Sequence, residues 1–447
     1  MRVNAEQYEE RLERTALAPL GKTSRGFILF ILFLLAVAGW GLYAFIVQLR
    51  FGLLATGMRD QVMWGLYLVN FVFFIGISHA GTLISAILRV TNAGWRTPVT
   101  RMAELITVVA ISIGALMPVI DLGRPDRVAN MLFFGRFQSP LLWDIISITC
   151  YLTGSLIYLY LPMIPDFALM RDRLRPEESP IKRQIYTLLS VGWRNTAEQR
   201  HRLEKAIGIM AVTIIPIAIS VHTVVAYVFS MLLRPGYNST VFGIYFVVGA
   251  IFSGIASILI VMAIFRKLYH LEEYITERHF RNLSYLLLTT LIIYFYLALG
   301  EYITIGYTLK VEEKHLLESL ALGKNAVLFW FFVIGGTIIP AILLLIRRGP
   351  LIPRILVASV LINVAMWIKR FVIIVPSLQV PLMPFEFGSY NPTWVEWSVT
   401  AGAFALFILI FSIATKLMPV LSIWEVAEHA EEEEELPTVQ EEVRRML

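Results

Sequence analysis

Ten long apolar runs, separated by short charged stretches, constrain the fold of this chain more than any motif. A helix that crosses the hydrocarbon core of a bilayer needs about 20 mostly apolar residues. Each run reaches that length, so the sequence predicts an all-α integral membrane protein with about ten transmembrane helices. The predicted helices cover residues 26–48, 64–88, 102–120, 141–163, 206–233, 241–265, 282–307, 325–346, 352–375 and 394–418.

The composition agrees with a membrane protein and excludes several kinds of metal site. Hydrophobic residues make up 57% of the chain and charged residues 16%, which is too little polar surface for a water-soluble globule of this size. The single cysteine, Cys150, lies inside an apolar run. We therefore expect no disulfide framework, no zinc site and no iron–sulfur cluster held by this chain. Only His79 and His222 lie deep in predicted helices, so we expect no haem either.

The distribution of basic residues predicts the topology. Cytoplasmic loops of membrane proteins carry the excess of Lys and Arg. The two terminal segments and the loops after even-numbered helices hold 27 such residues, and the other loops hold 9, so both termini should be cytoplasmic. The net charge of +5 then indicates attraction to lipid headgroups rather than nucleic-acid binding. Residues 1–25 lack the features of a cleavable signal peptide, and we expect them to be retained.

An internal repeat predicts how the helices are grouped. The segments 64–79 and 242–257 align without gaps and share six identities, among them Tyr67 with Tyr245 and Gly76 with Gly254. The repeat predicts two parallel four-helix units, and chance similarity between hydrophobic helices is the alternative. The predicted organisation is a cytoplasmic segment at 1–25, a first helix and outer loop at 26–63, four-helix units at 64–233 and 241–375, an outer loop and last helix at 376–424, and an acidic cytoplasmic tail at 425–447.

Ionisable residues inside predicted helices are candidates for a proton path. A charge in hydrocarbon is costly and marks a functional site or a buried pair. The candidates for such a path are His79, Glu104, His222, Glu301 and Arg370. For the two histidines, a hydrogen-bonded core role is the alternative. For Glu301, and likewise for Glu396, the alternative is a buried ion pair with Lys369 or Arg370.

The outer loop after the third helix carries the pattern of a quinone site. It runs from Asp121 through Arg124 and Arg127 and ends in Trp143 and Asp144. A quinone headgroup needs apolar walls, a hydrogen-bond donor and a group that accepts protons. Asp121 and Asp144 are the predicted catalytic proton acceptors, and Arg124 is predicted to orient or compensate them. Residues predicted to line the quinone pocket are Trp64, Tyr67, Asn70, Trp143 and Arg127. An ordinary charged loop is the alternative interpretation.

Four motifs in order resemble the NrfD/PsrC family, the membrane subunits of polysulfide reductases. They are SHAGTLISAILR at 78–89, DLGRPDR at 121–127, SPLLWD at 139–144 and VHTVVAY at 221–227. The similarity runs from about Trp64 to Arg348 and is greatest to the ten-helix quinol-binding subunits of bacterial alternative complex III. The resemblance implies a haem-free, multi-pass subunit in the bacterial cytoplasmic membrane that binds quinone, of the menaquinone type, near the outer face.

The resemblance also implies partners and leaves several functions open. The partners would be an extrinsic iron–sulfur subunit on the outer side, a multihaem cytochrome c and a second membrane subunit of the same family. In the quinol-oxidising subunits the position of Asp121 is commonly His, and the following loop is longer. The chain is therefore either a quinol-oxidising subunit, with coupled proton translocation as an option, or a quinone-free proton-conducting or anchoring paralogue. A polysulfide-type reductase subunit and a stand-alone transporter are further alternatives.

Overall fold

Helices make up the regular structure of the chain. The computed structural model describes residues 5–21, 23–173, 180–346, 348–383 and 386–427, and within them there is no β-strand. The helices are α1 (Ala5–Leu17), α2 (Arg25–Phe51), α3 (Leu66–Val90), α4 (Thr97–Asp121), α5 (Val128–Phe133), α6 (Pro140–Tyr160), α7 (Ile164–Arg173), α8 (Pro180–Leu189), α9 (Ala197–Ser230), α10 (Phe242–Leu268), α11 (Glu277–Thr308), α12 (Val311–Ala321), α13 (Ala326–Trp330), α14 (Ile339–Leu345), α15 (Leu351–Gln379) and α16 (Trp394–Leu417).

The prediction of ten membrane spans is confirmed. Ten helical segments of the described chain are long and apolar enough to cross a bilayer. They are α2, α3, α4, α6 continuing into α7, α9, α10, α11, the α13–α14 unit, α15 and α16. The α13–α14 unit contains a π-helical stretch, Phe331–Ile338. Because the number of spans is even, the first span starts and the last span ends at the same face of the membrane. Following the charge-based prediction, we call this the inner face and the opposite one the outer face.

The second span, α3, is the centre of the bundle, and the first span, α2, lies at its edge. In the most apolar stretch of each helix, 94% of α3 is buried inside the protein but only 17% of α2. Helix α3 packs against α4, α9, α10 and α15, whereas α2 packs mainly against α16. Gly41 and Gly402 allow that contact, because a Cβ atom on Gly41 would lie 2.8 Å from the Cα of Gly402. Small residues let helices approach closely where the hydrophobic effect does not drive association.

The remaining contacts agree with two four-helix groups and two added helices. Helices α3, α4, α6 and α9 pack in a ring, and α10, α11, α14 and α15 pack with one another. Helices α3 and α10, which carry the repeated segments, pack directly against each other between the groups. The residue boundaries of the two units and their origin by duplication stay predictions.

At the inner face the chain turns back under the bundle after α16. We call residues 418–427 the inner strap. Arg101 of α4 donates to the carbonyl of Leu421 (3.2 Å), and the indole of Trp424 donates to the carbonyl of Pro162 (2.9 Å). Glu425, the first residue of the predicted acidic cytoplasmic tail, is buried at the inner face and only 6% exposed. The rest of that predicted tail, with its run at 431–435, lies outside the described residues.

Candidate functional sites

Asp121, the first predicted proton acceptor, lies at the outer end of α4. Beside it, Gln48 donates to the carbonyl of Ile120 (2.8 Å), and the hydroxyl of Tyr67 donates to the amide oxygen of Gln48 (2.5 Å). Glu396 is close enough to act electrostatically on Asp121. One carboxylate oxygen of Asp121 is buried and has no hydrogen-bond partner in the described part of the chain. Because such an acceptor is unfavourable to leave unsatisfied, this oxygen is a candidate to take a proton or a ligand's donor.

Glu396, the neighbour of Asp121, is occupied by structural hydrogen bonds. It accepts the N–H groups of Gly57 (2.6 Å) and Thr393 (2.9 Å) and the hydroxyl of Tyr390. With Thr393 it forms the capping box that begins α16, which satisfies backbone donors at the helix start. Tyr390 in turn accepts the N–H of Leu66 (2.8 Å). The alternative of an ion pair between Glu396 and Lys369 or Arg370 is therefore not realised.

Asp144, the second predicted acceptor, lies near the outer end of α6. Its side chain is buried, and one carboxylate oxygen has no partner among the described residues. Neighbouring Trp143 is half-buried, and its indole donates to the carbonyl of Phe137. No described hydrogen bond or ion pair joins Asp144 to Asp121. The structure thus gives the two carboxylates separate surroundings.

A cleft lies between α6 and α9; Trp143 contributes to its lining, whereas Asp144 does not. Its volume is about 480 Å³, which is within the usual range for small-molecule sites. Ile146 and Cys150 are exposed on its α6 wall, so the cleft faces lipid. Pro216 and Ser220 contribute to its α9 wall. The full lining is Phe137, Trp143, Ile146, Ser147, Cys150, Pro216, Ile217, Ser220, Val221 and Val224.

The predicted arginines of the outer loop are solvent-exposed. Arg124 binds both carboxylate oxygens of Asp126 (3.0 and 2.9 Å), with side chains 63% and 59% exposed. It makes no described contact with Asp121 or Asp144, because the loop carries it outward. Arg127 is exposed as well. Neither arginine therefore lies in a pocket with the predicted proton acceptors.

The other predicted lining residues hold helices together at the outer half of α3. The ring of Trp64 packs edge-on against Phe229, with centroids 5.7 Å apart. Asn70 is fully buried, donates to the hydroxyl of Thr400 (2.8 Å) and accepts the indole N–H of Trp367 (2.9 Å). These contacts connect α3 to α9, α15 and α16. They place neither residue against Trp143.

His79 and His222 meet in the middle of the bundle. Their rings are 4.2 Å apart between centroids, and both side chains are fully buried. The two nitrogens of His79 contact the carbonyls of Ile75 (2.8 Å) and Ala218. Both nitrogens of His222 lack a described partner. An imidazole that is buried, unpartnered and beside a second imidazole has the composition of a proton relay.

Glu104 lies on the inner side of this histidine pair. It accepts the hydroxyl of Ser85 (2.6 Å), which is 3.3 Å from the hydroxyl of Tyr158. Arg89 lies within electrostatic range of Glu104 and binds Glu425 of the inner strap. Tyr151 packs against the ring of His79. The buried side chains close to its hydroxyl are those of Ser78, Thr82, Thr107 and Ser155.

Two buried cations follow the histidines toward the outer face. Arg370 is 1% exposed, and the hydroxyl of Tyr294 is its hydrogen-bond partner. Lys369 donates to the hydroxyl of Tyr302 (2.5 Å) and lies over its ring. Tyr245 and Tyr294 stack with centroids 4.9 Å apart. Their hydroxyl groups are 3.1 Å apart and lie between Arg370 and Lys369.

Glu301 continues this polar region but forms no direct ion pair. It accepts the hydroxyl of Ser239 (2.6 Å), and Lys369 is within electrostatic range. No ion pair within contact distance joins Glu301 to Lys369 or Arg370 among the described residues, so that alternative is not realised either. Sequence reasoning missed the tyrosines here, since tyrosine counts as apolar in a hydropathy pattern.

Together these side chains form what we call the polar track, a series of polar groups between Glu425 and Ser239; no described contact joins its members Glu104 and Tyr151. Its members in order are Glu425, Arg89, Tyr158, Ser85, Glu104, Tyr151, His79, His222, Arg370, Tyr294, Tyr245, Lys369, Tyr302, Glu301 and Ser239. All five residues predicted for a proton path belong to it. No described group of three or more His, Cys, Asp and Glu side chains could hold a metal ion.

A bundle of ten spans with ionisable groups along its interior defines a multi-pass membrane protein with internal polar sites. The chain belongs to the polysulphide reductase NrfD family, whose model matches residues 54–381. The matched region covers both four-helix groups and excludes α2 and α16. The resemblance stated from the sequence motifs is thereby confirmed.

Three curated relatives match this chain over nearly their whole length. The chain is 26% identical to a selenate reductase subunit of Mesobacillus selenatarsenatis, over 86% of this chain and 92% of the relative. It is 23% identical to the Hdr-like menaquinol oxidoreductase integral membrane subunit of Archaeoglobus fulgidus, over 90% and 95%. It is 24% identical to the menaquinone reductase integral membrane subunit of Nitratidesulfovibrio vulgaris, over 94% and 96%.

Proposed function

We propose that this chain is the membrane subunit of a multi-subunit quinol oxidoreductase of the alternative complex III type. It would bind a quinol of the menaquinone type near the outer face and pass the electrons to an extrinsic iron–sulfur subunit. The family membership and the two relatives named for menaquinol or menaquinone support the coarse part of this proposal. The partners are those that the family resemblance implies.

The observation that carries the proposal is the cleft between α6 and α9, which is lined by Trp143, the residue next to Asp144 in the sequence. The cleft faces lipid, so an isoprenoid quinol can approach it from the bilayer. Trp143 and the aliphatic lining offer apolar walls for the ring and tail. The unpartnered oxygen of Asp144 can accept a hydroxyl proton from a quinol headgroup. Asp121, with its own unpartnered oxygen at the outer end of α4, would receive a proton in its separate surroundings.

The chemistry requires a partner for the electrons. Oxidation of a quinol releases two protons and two electrons, and the carboxylates can take only the protons. With Cys150 as its single cysteine, this chain has no ligand set for a cluster. The electrons would pass to the extrinsic iron–sulfur subunit, with a multihaem cytochrome c and a second family member completing the complex. We place the assembly in the bacterial cytoplasmic membrane.

The test of the quinol site uses the native complex, solubilised mildly. Solvent extraction with mass spectrometry should find about one quinone per complex together with an iron–sulfur partner. Asp144→Asn should lower quinol oxidation about 10²-fold or more, as expected for loss of a general base. Asp126→Asn is the matched control, because Asp126 is an exposed carboxylate of the same outer region. Full activity of Asp144→Asn, together with the absence of extracted quinone, would remove the assignment.

A second candidate function, proton translocation, is favoured by the polar track. Its buried atoms with no partner among the described residues include both ring nitrogens of His222 and the Nε of Arg370. Such groups are places for ordered water, which would complete a proton path. On this reading the chain is the proton-conducting paralogue or performs both tasks. His79→Leu should abolish turnover-linked proton movement while quinol oxidation remains; loss of both together would favour a purely structural role.

Copurification separates the remaining alternatives. A polysulfide-type reductase subunit should copurify with a cluster-bearing partner and reduce a sulfur substrate at the expense of quinol. A stand-alone transporter should be stable without redox partners. A complex that contains the same redox partners but no quinone would identify this chain as the anchoring or proton-conducting paralogue.

A further inference from the structure

Arg370 lies in a narrow slot between two helices of different groups. Gly76 of α3 and Gly249 of α10 line this slot. A Cβ atom added at either glycine would lie 3.5 or 3.4 Å from the guanidinium. At Gly249 it would also lie 2.9 Å from the ring of Tyr294. The absence of side chains at these two positions fixes where the charge of Arg370 lies.

The positive charge of Arg370 has no carboxylate partner. Its described surroundings are the hydroxyl of Tyr294, the ring of Phe246 at 5.4 Å, and an Nε atom without an acceptor. No ion pair involves Arg370 among the described residues. A structural arginine in a membrane core is normally paired, since an unpaired one is strongly unfavourable. The unbalanced charge therefore points to a function.

The position of Arg370 divides the polar track into two parts. His222 and His79 lie on its inner side, and His222 is within its electrostatic range. Lys369 and Glu301 lie on its outer side. A proton that crosses the membrane along the track must pass this fixed charge.

We propose that Arg370 is an electrostatic barrier that separates an inner proton path, ending at His222, from an outer one that begins at Lys369. The proposal rests on the proton-conducting function proposed above. A fixed arginine charge excludes protons from other membrane pores by the same physics. In an interior of effective dielectric constant near 20, two like charges several Å apart repel enough to slow transfer about tenfold or more. A coupled path needs such a barrier, because a continuous one would dissipate the proton gradient.

The experiment measures passive proton leak of the complete complex in liposomes without quinol. A potassium diffusion potential drives the protons, and an internal dye reports pH. The unmutated complex should leak few protons, and the Arg370→Gln complex should leak protons about tenfold faster or more. Arg370→Lys is the matched control, because it keeps the charge and should stay tight. Adding His222→Leu to Arg370→Gln should remove the leak by interrupting the inner path.

The outcomes separate the barrier from the path. Equal leaks from Arg370→Gln and Arg370→Lys would mean a packing defect and overturn the proposal. A folded Arg370→Gln complex that leaks no more protons than the unmutated one would also overturn the barrier proposal. The proton-conducting function would be retained in that case if His79→Leu stops turnover-linked proton movement. If the Arg370→Gln leak depends on His222 but the unmutated complex moves no protons during turnover, the barrier proposal is retained. The proposal of proton translocation coupled to quinol oxidation is then rejected.

Discussion

Glu425 is expected to hold the inner strap against the bundle. It binds Arg89 and also lies 3.9 Å from Arg96, with Glu425 only 6% exposed. Apolar side chains of the strap are buried beside it: Val420, Leu421, Ile423 and Val426. The strap covers the inner end of the polar track, where Arg89 leads to Glu104. Glu425→Gln tests this role because it removes the charge and keeps the shape.

The size of the effect follows from two opposing estimates. Breaking a buried ion pair by removing one charge costs about 3–5 kcal/mol. Burial of the four apolar side chains contributes at most about 6–12 kcal/mol, so the strap should remain bound most of the time. Since Gln still accepts a hydrogen bond from Arg89, the lower end applies. The population of the open strap should then rise about 10²-fold.

Thiol labelling measures that population. Ser422→Cys, in a Cys150→Ser background, places a probe at a strap position that is 1% exposed. The labelling rate of this cysteine is proportional to the fraction of open strap when the strap closes faster than the thiol reacts. Glu198→Gln is the control, because the Arg202–Glu198 pair is 76% and 73% exposed and should contribute little. Equal labelling of the Glu425→Gln and Glu198→Gln proteins would refute the role of Glu425.

The same pair predicts a pH dependence. Burial alone would raise the pKa of Glu425, but the charges of Arg89 and Arg96 hold it below its ordinary value. A lowered pKa means that the charged carboxylate stabilises the closed strap above the ordinary carboxyl pKa of about 4.3. This contribution is lost only as the pH falls through the lowered pKa. The thiolate fraction itself falls with pH, so labelling of the Ser422→Cys probe is divided at each pH by that of a fully exposed cysteine. This ratio should stay flat from neutral pH to about 5 and increase in stronger acid; an increase near pH 6 to 7 would contradict this.

Two further predictions concern packing and charge elsewhere. Gly41→Ala should lower the thermal unfolding temperature by the equivalent of about 1–3 kcal/mol of overpacking, because the added Cβ would lie 2.8 Å from the backbone of α16. Gly39→Ala is the control, because a Cβ there meets nothing within 4 Å. Equal unfolding temperatures of the two variants would contradict the tight contact. Asp166→Asn should destabilise the inner face by about 3–5 kcal/mol, since it leaves the buried charge of Arg101 unpaired. Denaturant unfolding beside Asp172→Asn, whose side chain is 64% exposed, measures the difference, and similar stabilities would argue against it.

Membrane spans could be predicted because their physical requirement is local. A run such as 241–265 must be long and apolar to cross lipid, and this can be recognised without knowing which helices lie next to it. The family could also be recognised, because the motifs around Asp121 and Asp144 are contiguous. The partners of ionisable side chains could not be predicted in the same way, since they come from distant parts of the chain. Sequence proximity suggested Arg124 as the partner of Asp121, but the loop turns it outward to Asp126.

The sequence by itself determined ten apolar spans, a single cysteine and membership of one family, because each depends on residue type and local order. Tertiary structure alone decided that His79 meets His222, that Arg370 lies between Gly76 and Gly249 without a carboxylate, and that Glu425 returns beneath the bundle. These contacts depend on which faces of the helices pack together. Lipid accepts any apolar face, so hydropathy cannot specify that choice; the fit of side chains between helices does.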